Sequence, residues 1–410
     1  MEKINENARI IAKSGDIYVV VNSDETNKLE YDTLGKIINN QGIQESDWLP
    51  LGTIMRDSED WELVDIPYNK MLKKNDTKAI DGLLGFAVGD ALGVPVEFMD
   101  RESVRKVNLK DMIGKDTGIN FKSRWGNIIP SGSWSDDTSM LIAGMDSLAD
   151  NEAEANYDDI MRRYIQWWNE GKYTSLDTPF GLGGCVAKSF EKYFKGAPAL
   201  ESGANGIRDN GNGSLMRIFP FSYYCIENDL SEKETCEYIS KASMITHAHP
   251  ISQLGCFIYT EFLKKIVETK NPRLAYGYIS SIDYLQYFDR ETVLAYKQLL
   301  NPSFSRISDD SIKASGYVVD TLESAIYSVL HGNGYEDTVL TAINMGYDTD
   351  TVAGITGSIA GMLYGKEDIP QRWLDKLRKK DYLEELGAKF EQTIEDNKLE
   401  KKNNFKLRWL

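Results

Sequence analysis

Five carboxylates stand in three short motifs. Glu97 closes Gly89-Asp-Ala-Leu-Gly-Val-Pro-Val-Glu-Phe98, Asp136 and Asp137 lie in Ser133-Trp-Ser-Asp-Asp-Thr-Ser-Met140, and Asp348 and Asp350 in Gly346-Tyr-Asp-Thr-Asp-Thr-Val-Ala-Gly354. Ser135 and Thr351 add hydroxyl oxygens beside two of them. No Cys or His occurs within any of the motifs, so a site built from them is all-oxygen and suits hard cations such as Mg²⁺ or Mn²⁺. Brought together without counter-ions, such acids repel by several kcal/mol per close pair, even at an effective dielectric of about 20. Two divalent cations would neutralise four of the five charges, and a binuclear centre is therefore expected.

Two further motifs bear on ligands. Gly211-Asn-Gly-Ser-Leu-Met-Arg217 is a glycine-rich turn entering an apolar segment, and its backbone N–H groups suit a phosphate or pyrophosphate. Thr246-His-Ala-His-Pro250 holds two of the chain's three histidines. With no Cys or third His nearby, a hydrogen-bonding role toward a ligand is favoured over zinc.

The elements that must position these groups are helices. Glycines at 82, 85, 89 and 93 recur on one face, each costing about 1 kcal/mol against Ala in a helix interior. A matching set, Ala353, Gly354, Gly357, Ala360 and Gly361, follows the third acidic motif. Two helices in near-backbone contact would explain both sets. Ser133 or Ser135 is placed to cap a helix over Leu141–Leu148, and acids in a first turn favour the helix dipole. Asp348-Thr-Asp-Thr351 repeats that design.

From about residue 76 to 390 the apolar spacing is helical throughout, predicting one large, mainly all-α domain. Residues 1–75 differ. Ile17–Val21 and Trp61–Ile66 read as strands between polar turns, which predicts a small β-rich or α+β domain. A charged tail occupies 391–410. The chain of 410 residues carries 63 acidic and 47 basic side chains, a formal charge of −16, which argues against a nucleic-acid partner. Residues 1–75, with nine basic and fourteen acidic groups, are no basic arm either. No signal-like apolar run opens the chain, no membrane span is evident, and the four cysteines fall at no metal-like spacing. The expected location is the cytoplasm.

Taken in order, the three acidic motifs, GNGSLMR, THAHP and DTDTVAGITGSIAGMLYG resemble the ADP-ribosylglycohydrolase family, whose best-known bacterial type is dinitrogenase-reductase-activating glycohydrolase. The likeness covers roughly residues 76–375. It implies an orthogonal helical bundle with two Mg²⁺ (or Mn²⁺) in a central cleft, hydrolysing the bond between ADP-ribose and an acceptor. By position, it implies that Ser135, Asp136, Asp137, Asp348, Asp350 and Thr351 bind metal. Glu97 matches an acid that binds metal or moves a proton, a catalytic part that Asp136 and Asp137 also match. Gly211, Asn212, Gly213 and Ser214 match the diphosphate loop, and His247 a ligand-contacting histidine. Asp177 and Gly181–Gly184 resemble a loop near the ribose. Tyr347 stands where Gly is usual and is a candidate to line the cleft and set the acceptor. The implied partner is an ADP-ribosylated protein. Because some members with N-terminal extensions are immunity proteins, residues 1–75 are a candidate binder of an ADP-ribosyltransferase toxin. The alternative, a catalytically silent ADP-ribose-binding relative, would be expected to lose some of these acids.

Overall fold

The computed structural model describes residues 77–118 and 125–407, the last six by backbone alone, together with the backbone of five strands between residues 9 and 64. Those strands, Arg9–Ala12 (β1), Ile17–Val21 (β2), Thr33–Ile37 (β3), Ile43–Pro50 (β4) and Trp61–Val64 (β5), form an antiparallel sheet of order β4-β3-β2-β1-β5. The polar turns expected between them, and residues 70–76 of the polar stretch Lys70–Lys78 expected as a linker, lie outside the described residues.

Beyond residue 76 the described protein is helical. The helices that matter to the site are Ala79–Gly93 (α1), Asp136–Asp150 (α2), Pro250–Thr269 (α3), Val318–His331 (α4), Tyr335–Ile343 (α5), Thr349–Tyr364 (α6) and Lys380–Leu407 (α7). Helices α1 and α6 are buried along their whole lengths and form the centre. Their glycine sets face each other, as the spacing predicts. A Cβ built on Gly85 would lie 2.2 Å from the Gly357 carbonyl oxygen, one on Gly89 2.1 Å from that of Ala353, and one on Gly93 2.4 Å from Asp350 Cα. Only hydrogen fits between these backbones. Two hydroxyls hold α1 to its neighbours. Tyr335 at the start of α5 donates to Gly85 O (2.6 Å), and Thr349 donates to Gly93 O (2.8 Å).

Gly89→Ala is therefore expected to lower stability by about 1–3 kcal/mol or more, because the helices must part. Gly184→Ala, whose Cβ meets nothing within 4 Å, should be neutral by comparison. Urea unfolding of both variants checks this.

One expectation is corrected. Residues 79–96 are long and apolar enough to cross a bilayer by length and composition. The window is fully buried, however, and it is apolar because α1 is surrounded by other helices on every side. Residue 390, after which the charged tail was expected, lies within α7, and Ile394 beyond it is buried in the core. All four cysteines are free thiols.

Candidate metal and active site

Each acidic motif sits where a helix begins or ends. Glu97 follows a 3₁₀ turn, Val94–Val96, that extends α1. Ser135 caps α2, its hydroxyl accepting from the Asp137 N–H (3.2 Å), so that Asp136 and Asp137 occupy the first turn. Asp348 is the N-cap of α6, and Asp350 lies in its first turn. Because α1 and α6 are locked at Gly93 and Asp350, the end of one helix meets the start of the other.

A sixth acid, not assigned to the site from sequence, holds this arrangement. Asp90 on α1 has no exposed surface. Its carboxylate accepts from the Ser135 N–H at 3.0 and 3.1 Å, from the Thr138 N–H at 3.0 Å and from the Thr138 hydroxyl at 2.6 Å. It thus serves the free N–H groups of α2 from another helix. Burial pushes its carboxyl up to about 6 against those hydrogen bonds. The signal in sequence was an acid on an otherwise small and apolar face of α1.

Glu97, Asp348 and Asp350 offer carboxylate oxygens that all lie within 4.8 Å of one another. Asp136 and Asp137 are close enough to act on them electrostatically. Burial, then the charges of Glu97, Asp90 and Asp348, raises Asp136 well above the carboxylate range. Burial, then Asp136, Asp90 and Asp348, does the same to Asp137. Asp350 is raised by burial, then by Glu97, Asp137, Asp348 and Asp90. Asp348 is also raised by burial, less strongly, because hydrogen bonds from Asn212, Asp350 and Thr351 oppose it.

The donor set fits divalent cations. Five buried carboxylates and the hydroxyls of Ser135 and Thr351 supply only hard oxygen. Asp137 Oδ2, fully enclosed, has no hydrogen-bond partner among the described residues, which is costly for a carboxylate unless a cation takes it. Glycines clear space beside the acids. A Cβ on Gly181, whose φ is +89°, would lie 2.0 Å from Asp136 Oδ1, and one on Gly316 3.1 Å from Asp348 Oδ2.

The glycine loop lies beside this cluster. The Asn212 side-chain amide donates to Asp348 Oδ2 (2.7 Å) and Thr321 Oγ1 (2.9 Å), and its backbone N–H to Gly316 O (3.0 Å). Asn212, expected on the diphosphate, therefore ties the loop to an acid of the cluster. The Ser214 hydroxyl is fully buried and turned toward Ser243 (3.0 Å) and Cys256 (3.5 Å). His247 stacks its edge against Gly213, where a Cβ would lie 2.8 Å from Cε1. His249 diverges from it to cap α3 through Nδ1, accepting from the Ile251 N–H (3.3 Å). Tyr347 and Phe98 sit next to Asp348 and Glu97 in chain, both in the left-handed region (φ 60° and 63°) and both exposed. Their backbones pair, Phe98 N–H to Tyr347 O (2.6 Å) and Tyr347 N–H to Met99 O (2.7 Å). Left-handed backbone in bulky residues is unfavourable by about 1 kcal/mol or more each. Asp177, also left-handed (φ 60°), is exposed and paired with Lys379 (2.6 Å).

Comparison with known proteins identifies the family. Residues 71–400 match the family model for ADP-ribosylglycohydrolase. An ADP-ribosylarginine hydrolase Tri1 from Serratia proteamaculans is 30% identical over 76% of this chain and 78% of its own length. An ADP-ribosyl-[dinitrogen reductase] glycohydrolase from Rhodospirillum rubrum is 26% identical over 73% and 90%. A solved ADP-ribosylglycohydrolase-related protein superposes with a TM-score of 0.60 at 25% identity, covering 79% of this chain and all of that one. The chain belongs to the ADP-ribosylglycohydrolase family and is a hydrolase of ADP-ribosyl glycosidic bonds.

Proposed function

We propose that this ADP-ribosylglycohydrolase removes ADP-ribose from arginine side chains of a modified protein, in the cytoplasm, using two divalent cations, Mg²⁺ or Mn²⁺. The observation that carries the cation requirement is the enclosed cluster of Glu97, Asp348 and Asp350, with the orphaned oxygen of Asp137 beside it. The choice of arginine is supported by two relatives named as ADP-ribosylarginine hydrolases, 30% and 27% identical.

Glu97, Asp136, Asp137, Asp348 and Asp350, with Ser135 and Thr351, would hold the cations, which supply Lewis-acid polarisation and an acidified water at the anomeric carbon. The chain's own groups do the rest. Asp90 and Asn212 keep the acids in register. The Gly211–Ser214 turn and His247 receive the diphosphate, contributing orientation. Glu97 or one of the first-turn acids of α2 passes a proton between water and the departing guanidine. Tyr347 and Phe98 are suited to the acceptor, since a planar guanidinium packs well on an aromatic face.

The test is ADP-ribose release from arginine-, serine- and base-linked substrates with Mg²⁺, Mn²⁺ or EDTA. Release from arginine with either metal, and none in EDTA, is expected. Turnover in EDTA equal to that with metal would refute the cation reading, and release from serine alone would refute the acceptor.

Residues 1–70 precede the family match, and we include in the proposal that residues 1–75 bind a protein partner, an ADP-ribosyltransferase toxin in an immunity role. Deleting them should abolish capture of the toxin while leaving release from a small arginine-linked substrate within about twofold of the full chain. If release from modified protein falls and toxin binding persists, the segment selects substrate instead.

A further inference from the structure

Arg217 is the group that the reading above leaves unused. It is fully buried, and among the described residues none of its hydrogen-bond partners is a carboxylate. One terminal nitrogen donates to Tyr164 Oη (3.1 Å) and Ala242 O (3.1 Å), the other to Thr246 Oγ1 (2.6 Å), and the guanidinium lies 4.9 Å over the Tyr164 ring. A buried cation with only neutral partners is expensive unless something on the far side of those partners gains from it.

What lies beyond Thr246 is His247. Thr246 Oγ1 is 2.9 Å from His247 Nδ1. Pairing the threonine hydrogen favours one direction of donation among the three groups. A guanidinium has five N–H donors and no acceptor, so Thr246 accepts from Arg217. The threonine hydroxyl has a single hydrogen, its remaining partner among the described residues is Nδ1, and donation there is what keeps that buried hydrogen paired. Nδ1 therefore accepts. A neutral imidazole accepting at Nδ1 carries its hydrogen on Nε2. The main chain that carries the ring is held in place. The His247 N–H donates to Ser243 O (2.9 Å), Ser243 Oγ donates to His247 O (2.9 Å), and the Ala204 N–H donates to Thr246 O (3.0 Å). Burial and the Arg217 charge also drive the imidazole down to about 3, with Asp209 opposing weakly, so the ring is neutral.

Nε2 points at the glycine loop. A Cβ on Gly213 would lie 3.2 Å from it and one on Gly211 3.7 Å. We infer that Arg217, acting through Thr246, locks His247 as an Nε2–H donor aimed into the Gly211–Ser214 loop, where it receives an anionic phosphate oxygen. Arg217 and Thr246 are then positioning residues. The cation never meets the ligand, yet its charge fixes which ring nitrogen does the donating and biases the loop toward anions. The identity of that anion as the diphosphate of ADP-ribose rests on the proposed function.

The test begins without any ligand. The chain has three histidines, His247, His249 and His331, so long-range ¹H–¹⁵N correlation spectra of histidine-labelled full-length protein are readily assigned. His247 is expected to show a protonated Nε2 and a bare Nδ1, with the Nε2–H resonance moving when ADP-ribose is added. Thr246→Val should release the lock, giving mixed or reversed tautomers and weakening ADP-ribose binding by about tenfold, the scale of one hydrogen bond to a charged group. Thr246→Ser keeps the hydroxyl and should restore both. A wild-type ring protonated on Nδ1 would overturn the inference. So would a Thr246→Val protein with wild-type tautomer and affinity. An Nε2–H ring in a protein that does not bind ADP-ribose would uphold the relay and overturn the ligand reading.

Discussion

Asp350→Asn is expected to cut ADP-ribose release by about a hundredfold or more while raising the melting temperature of the metal-free protein. The substitution removes one charge and little else. The Asp350 Oδ1 atom accepts from the Thr351 N–H at 2.9 Å, and an amide oxygen can keep that bond. Activity falls because a carboxylate that would hold cations is gone, and losses of even the outer partners of metal ligands run to about 10–100-fold. Stability rises because Asp350 is repelled by Glu97, Asp137, Asp348 and Asp90 in a buried setting. Turnover with saturating Mn²⁺ and thermal melts in EDTA would be measured together. Activity within a few-fold of wild type would remove Asp350 from the site. A lower melting temperature in EDTA would mean that the acids are not in mutual repulsion.

Metal-free protein should also become less stable as pH rises from about 4 toward neutrality, the reverse of ordinary acid denaturation. Asp90, Asp136, Asp137, Asp348 and Asp350 all have folded-state values above the ordinary carboxylate value of 3.8. Between the unfolded and the folded value the native state holds more protons than the unfolded state. The unfolding free energy therefore falls with pH in that window. The contribution of Asp90 is complete near pH 6, where its folded value lies, and amounts to ~3 kcal/mol at most. The acids raised further extend the decline beyond that. Divalent cation should abolish the decline, since binding to the native state alone adds stability by mass action. Melts from pH 4.5 to 8 with EDTA and with Mg²⁺ would show diverging curves. Parallel curves would contradict a cation site built from these acids.

Much of the site was legible because its chemistry is local in sequence. Capping serines, paired acids at helix starts and stride-four glycines each carry their meaning within ten residues, and so the α1–α6 contact and the three acidic clusters could be read directly. What escaped was long-range choice of partner. Nothing in the spacing says that Asp90 reaches backbone N–H groups 45 and 48 positions away. Nor does it say that the Asn212 amide turns to Asp348, or that Arg217 finds a threonine 29 positions on. Those assignments depend on which helix ends converge, a property of the packed bundle. The bilayer-like hydropathy of α1 was missed for a related reason. A helix enclosed on all sides has no polar face.

The crossing of α1 and α6 has one more consequence. Where two backbones touch with only hydrogen between them, there are no side chains whose rotamers can absorb a change. The spacing of Glu97 from Asp350 is therefore inherited from main-chain geometry. Mutational drift in the surrounding core cannot tune it by small steps, and a one-residue insertion on either helix would break every contact at once. Divergence of substrate preference must accumulate elsewhere, in the loops bearing Gly181, Gly316 and Tyr347, which can be exchanged without disturbing that crossing.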